Sequence, residues 1–121
     1  MSKIFLFVRV KKFELEEDEI VKRAQDWLGI RNHLNCQIEI EIVGRKRIQS
    51  LNKVFLNKDC PTDVLSFPLS PFPEKVKGQN LLGTIFICND IIKNVNKFKY
   101  KKDLISLVKH GIDHLLGIHH D

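Results

Sequence analysis

Between Gln37 and Val43, Ile38, Ile40 and Ile42 alternate with Glu39 and Glu41. That period of two is what a strand with one wet face requires. Lys3 to Val10 reads as an earlier strand, and Val64 to Leu69 as a third, closed by Pro68 and Pro71. A loop from Ser70 to Asn80 leads to a fourth strand at Gly83 to Cys88. Between them the period changes to that of a helix. Ile20, Val21, Ala24, Trp27 and Leu28 predict a helix from Glu16 to Leu28 that Gly29 ends, and Ile48, Leu51, Val54 and Phe55 predict one from Arg45 to Phe55. Asn89 or Asp90 can cap a helix running to about Phe98. Lys101 or Lys102 then opens a last helix, with Leu104, Leu107, Val108, Ile112 and Leu115 toward the core. The sum is an α+β fold: a small mixed sheet of about four strands with helices packed on it, the histidine-bearing helix central and most buried.

The chain has 121 residues, 43% of them hydrophobic, enough for one domain (1–121) and one core. No apolar run approaches the ~20 residues of a membrane span, and the stretch after Met1 is too short for a secretory signal. A soluble cytoplasmic protein with no membrane partner is expected. Cys36, Cys60 and Cys88 are odd in number and lack a CxxC spacing, which argues against a disulfide framework and for small buried residues. The formal charge is +5, and four of the acids crowd into Glu16, Glu17, Asp18 and Glu19, where they suit the first turn of a helix. Arg45, Lys46 and Arg47 form one basic group, and Lys93, Lys97, Lys99, Lys101 and Lys102 another. Such patches fit a polyanion such as RNA, or simply a solvated lysine-rich surface.

Chemistry concentrates at the C-terminus, His110-Gly-Ile-Asp-His114-Leu-Leu-Gly117-Ile-His119-His120-Asp121. On a helix that turns ~100° per residue, His110 and His114 project from nearly the same side, about 6 Å apart along the axis. Gly117 stands where a helix can end in the left-handed region, and the reversal can bring back His120 as a third ligand. His119 is the alternative, but the eleven-residue spacing favours His120. Three neutral histidines with one position left to water is the usual arrangement of a catalytic zinc. The spacing equals that of the metzincin peptidases, yet their glutamate after the first histidine is here Gly111, and Asp113 points about 100° away from His114. A surface helix end rich in histidine is the plainer alternative.

A second segment, Lys58-Asp-Cys-Pro-Thr-Asp-Val-Leu-Ser-Phe-Pro68, would suggest only a turn and a strand if it stood alone. Beside the histidine motif it resembles the YbeY family of metal-dependent endoribonucleases, also called ribosomal RNA maturation factors. Their hallmarks, KDxPTDVLSFP and HGxLHLxGYDH, occur here in the family's order, and the likeness extends to Leu51-Asn52 and Leu82-Gly83. The resemblance implies one Zn2+ held by His110, His114 and His120, with His114 essential to catalysis. It also implies cleavage of single-stranded RNA, 3′-end maturation of small-subunit ribosomal RNA, ribosome quality control and a cytoplasmic location. The RNA cleft is then expected between the Thr62 to Pro68 strand and the histidine helix, with Lys58, Thr62, Asp63 and Ser66 as substrate contacts. Phe67 or Phe72 could stack a base there, though burial is the commoner fate of Phe.

The chain departs from the family pattern at several positions. Leu56 stands where an arginine is usual, and leucine can neither pair a phosphate nor stabilise developing charge. Lys53 or Lys58 could supply charge nearby, but without the guanidinium fork. Thr84 and His119 each stand where an aspartate is usual, and Asp113 where the family is apolar. Asp121 follows the third histidine directly and reads as a frayed end, with an acceptor near the metal as the alternative. Two further functions stay open from the residues: a zinc hydrolase with a non-RNA substrate, and a ribosome-associated factor of weakened activity.

Overall fold

The structure is a computed structural model, and it describes residues 2–11, 13, 16–69, 81–92 and 97–118. Four strands, β1 (Lys3–Val8), β2 (Gln37–Val43), β3 (Val64–Pro68) and β4 (Leu81–Cys88), form one sheet in the order β1-β2-β4-β3. β1 and β2 run parallel, as do β2 and β4, while β3 pairs antiparallel with β4 at the edge. The α+β mixed sheet expected from the sequence is therefore present. The helices are α1 (Glu17–Ile30), α2 (Arg45–Leu56), the single turn α3 (Asn89–Ile92) and α4 (Lys97–Leu115).

The alternation in each strand sorts the side chains between two faces. Ile38, Ile40, Ile42, Ile85 and Ile87 meet Ile20, Ala24 and Leu28 of α1 and Leu104, Val108, Ile112 and Leu115 of α4 in the main core. On the other face Leu65, Phe86 and Cys88 pack with Ile48 and Leu51 of α2. Burying an aliphatic side chain contributes about 1.5–3 kcal/mol, so the four from α4 supply several kcal/mol to its placement. Packing therefore does much to fix the histidine helix. Its amino end is tied down as well, because the Tyr100 hydroxyl donates to Asn89 Oδ1.

Several boundaries differ from the sequence pattern. β1 ends at Val8 rather than Val10, β4 starts at Leu81, and α4 begins at Lys97, upstream of Lys101. Gly29 does not end α1. The helix continues to Ile30, and Asn32 takes the left-handed conformation at φ 65°, with Asn32 N–H bonded to Gly29 O and His33 N–H to Leu28 O. An Asn tolerates that region well enough to replace glycine there. Val54 and Phe55 are exposed instead of facing the core, and the buried residues of α2 are Ile48, Leu51 and Asn52. Cys36 and Cys88 are buried as expected, but Cys60 is exposed. Burial pushes the Cys36 thiol above its ordinary pKa, partly offset by a hydrogen bond with Ser2. No described helix is long and apolar enough to cross a membrane.

Candidate active site

Helix α4 presents chemistry because its burial is one-sided. Leu104, Val108, Gly111, Ile112 and Leu115 are buried, whereas Lys102, Ser106, His110 and His114 are exposed. The two imidazoles thus stand one turn apart on a solvent-facing stripe whose opposite side is locked in the core. The carboxyl end is closed by a complete Schellman turn: Gly117, at φ 77°, bonds its N–H to His114 O at 3.1 Å, and Ile118 N–H reaches Asp113 O at 2.8 Å. The chain therefore reverses directly after His114, as the glycine predicts. His119, His120 and Asp121 lie outside the described residues, as does Phe72. Among the described residues no three His, Cys, Asp or Glu side chains gather to hold a metal. As donors, two exposed imidazoles on adjacent turns fit a zinc ion, to which His120 remains the expected third ligand.

Gly111 and Asp113 explain why this helix carries no peptidase base. A Cβ at Gly111 would stand 2.7 Å from Ile85 Cγ2, so position 111 faces β4 and has no room for a glutamate. Asp113 is only 2% exposed and points toward α1. It accepts hydrogen bonds from Trp27 Nε1 at 2.8 Å, Arg31 Nε at 3.0 Å and Arg31 Nη2 at 2.8 Å. With both oxygens engaged, Asp113 serves as a clasp between α1 and α4, and the hydrogen bonds to it, with its charge, hold the Arg31 guanidinium above its ordinary pKa. Trp27→Phe deletes one hydrogen bond to that carboxylate and is expected to cost about 1.5–3 kcal/mol in chemical denaturation. Asp113→Ala strips the clasp and should cost more.

The second motif forms a loop held between α2 and β3. Buried Asn52 donates from Nδ2 to Cys60 O at 2.9 Å, while its Oδ1 has no hydrogen-bond partner among the described residues. Gln49 Nε2 reaches Asp59 Oδ1 at 3.0 Å, and Cys88 N–H holds Asp63 O at 2.8 Å. Thr62 donates to Asp63 Oδ1 at 3.4 Å. Lys58 is exposed, and Thr62, Asp63 and Ser66 are half-buried. Asn52 is the organising residue whose role was not foreseen: a polar side chain on the apolar side of α2 was its signal. Strand alternation sets Ser66 on the side of Val64, which packs into the core with α4, and Leu65 on the α2 side. Helix α4 packs against β3, so the strand carrying Ser66 borders the histidine helix.

Other expected contacts fall elsewhere. Phe67 stacks between Phe55 and Phe86, at centroid distances of 5.1 and 5.7 Å, on the α2 side of the sheet. Thr84 also faces that side, where its hydroxyl donates to Glu39 Oε2 at 3.2 Å directly across from it in β2. An aspartate at 84 would oppose a second carboxylate. Thr84→Asp is expected to lower stability at neutral pH by roughly 0.5–1 kcal/mol, measured by thermal melting. Leu56 is half exposed at the end of α2, and Lys53 lies 3.8 Å from Asp59.

The comparisons with known proteins define the class as that of the endoribonucleases. A family profile described as Endoribonuclease YbeY matches residues 6–121, and the chain belongs to that family. An Endoribonuclease YbeY from Aquifex aeolicus is 33% identical over 96% of this chain and 77% of its own length. One from Malacoplasma penetrans is 35% identical, over 92% of this chain and 77% of its own. The solution structure of a Thermotoga maritima protein superposes with a TM-score of 0.56 at 29% identity, covering 100% of this chain and 75% of the other.

Proposed function

We propose that this protein is a cytoplasmic, zinc-dependent endoribonuclease that cuts single-stranded RNA, acting in 3′-end maturation of small-subunit ribosomal RNA and in ribosome quality control. What supports the reading is the conjunction, in a chain of this family, of two exposed imidazoles one turn apart on a helix whose other side is fully packed. His110, His114 and His120 would hold one Zn2+, which supplies positive charge to a phosphate oxygen and brings a water's pKa toward neutrality. The chain's own residues bind and orient the strand. The Lys58 ammonium neutralises a backbone phosphate and the Ser66 hydroxyl donates to one of its oxygens, while the Thr62 hydroxyl, which donates to Asp63 Oδ1 before RNA binds, turns to donate to another. Asp113, committed to Trp27 and Arg31, moves no proton in the reaction.

The test is cleavage of an unstructured RNA and of the same sequence annealed into duplex, by zinc-loaded and chelator-treated protein. Cleavage restricted to the single strand and abolished by chelation is expected. Hydrolysis of unstructured peptides with no RNA cleavage would overturn the reading. Because α4 is held by its packing and by the Asp113 clasp to α1, chelation should leave the circular dichroism spectrum unchanged and lower Tm only by the lost binding energy. Unfolding on chelation would mark a structural zinc instead.

Leu56 favours a second reading, a ribosome-associated maturation factor of weakened activity, because leucine cannot form the two parallel hydrogen bonds an arginine offers a phosphate. Leu56→Arg is expected to raise kcat/KM on single-stranded RNA by about tenfold or more. Measurable turnover in the native chain decides for the enzyme, and turnover only in Leu56→Arg decides for the weakened factor.

A further inference from the structure

On the opposite flank of α4 from β3, a groove between α1 and α4 encloses about 530 Å³, lined by Arg23, Lys101, Lys102, Ile105, Ser106 and Lys109. Four of these six residues are cationic and none is acidic. Of the nearby carboxylates, Glu19 is engaged with Lys101 at 2.7 Å, and neither Asp26 nor Asp103 is among the lining residues. Lys109 lies over the Trp27 ring at 5.0 Å, which keeps its charge at the groove while Arg31, 4.8 Å from the same ring, closes on Asp113 beyond it. Among the described residues no carboxylate pairs with Arg23, Lys102 or Lys109, so the groove carries their positive charge.

Its position gives that charge a use. Lys102, Ser106, His110 and His114 are the exposed residues spaced by four along α4. Steps of four residues on a helix advance ~6 Å and drift ~40°, so this stripe climbs about 18 Å and turns about 120° from the α1 flank toward the β3 flank. It begins in the cationic groove and ends at the histidines. Ser106, in the groove, is two steps from His114, about 12 Å along the axis.

We infer that the groove between α1 and α4 holds backbone phosphates of the RNA strand whose bond is cut at His110 and His114, a few nucleotides away from that bond. The inference rests on the ribonuclease reading and adds to it the path of the strand along α4. Backbone binding of this kind is independent of sequence and depends steeply on salt. A strand long enough to reach the groove gains from it. A substrate confined to the histidine end does not.

The test compares the zinc-loaded full chain with two double variants of equal net charge: Arg23→Gln with Lys102→Gln in the groove, and Lys3→Gln with Lys22→Gln, both exposed, outside it. Substrates are a long unstructured RNA and a dinucleotide phosphodiester. The groove variant is expected to raise KM for the long RNA about tenfold at low salt with kcat unchanged, and to leave dinucleotide turnover unchanged. Its slope of log affinity against log salt should fall by about 1.4, two cations at ~0.7 each. The control pair should stay within about twofold of the native chain. If both pairs behave alike while His114→Ala still loses cleavage, the groove assignment is overturned and the ribonuclease reading stands. If polyglutamate binding falls in the groove variant and RNA affinity does not, the groove serves an acidic protein and the inference fails. A native chain that neither binds nor cuts RNA overturns both.

Discussion

Gly83→Ala is expected to lose on the order of 3–5 kcal/mol of stability, enough to leave a marginal domain largely unfolded. Gly83 has φ 148°, and a Cβ there would lie 2.2 Å from Phe67 O, 2.8 Å from Leu115 Cδ2 and 3.0 Å from Pro68 Cα. Two of those three atoms are backbone of β3, in register with Gly83 across the sheet. No rotamer change relieves the clash, and only separation of β3 from β4 does. Strain in a glycine-only region costs about 1–3 kcal/mol, and overpacking about 1–3 more. Gly117→Ala is the control. Its φ is 77° but no atom of the described residues lies within 4 Å of a Cβ, so the left-handed cost of about 1–2 kcal/mol applies. Gly111→Ala falls between, because Ile85 must move but is a side chain. Urea denaturation of the three variants should rank them 83, then 111, then 117. A Gly83→Ala protein within about 1 kcal/mol of native would refute the packing described for β3 and β4.

The same three glycines show what a single sequence can disclose. Gly117 could be read because a helix end has a local cause, and the Schellman turn follows from residues within five positions of it. Gly29 could not, since glycine permits a stop without imposing one and the left-handed place went to Asn32. Gly83 and Gly111 owe their identity to β3 and to Ile85, contacts that no periodicity records. The candidate site divides in the same way. The spacing of His110 and His114 gave their common exposed side, and the alternation of β2 gave its buried isoleucines. The role of Asp113 was hidden because its partners Trp27 and Arg31 are 86 and 82 residues away in sequence. Phe67 looked like a neighbour of the histidines because its motif accompanies theirs. The pleat places it, with Thr84, on the α2 side of the sheet instead.

Those sidedness relations make His114→Ala the most informative change for activity. His114 is exposed, alanine is the better helix former, and the helix beneath it is held by Ile112 and Leu115. With both proteins melted without zinc, the variant should therefore stay within about 0.5 kcal/mol of the native chain, as surface substitutions usually do. Its chemistry should not survive. If His114 is one of three imidazoles that hold Zn2+, as proposed, its removal would weaken the hold on that ion and on the positive charge it would supply, and a loss of about a thousandfold in kcat or more is expected. Asp113→Asn provides the contrast: it weakens the clasp to α1, so it should lower Tm while kcat falls little where the protein remains folded. Measured together, the two variants separate what holds α4 in place from what α4 does. If His114→Ala retained both its zinc and cleavage within tenfold of native, catalysis would have to be placed elsewhere, whereas loss of zinc and cleavage at unchanged Tm would tie the reaction to the exposed stripe of this helix.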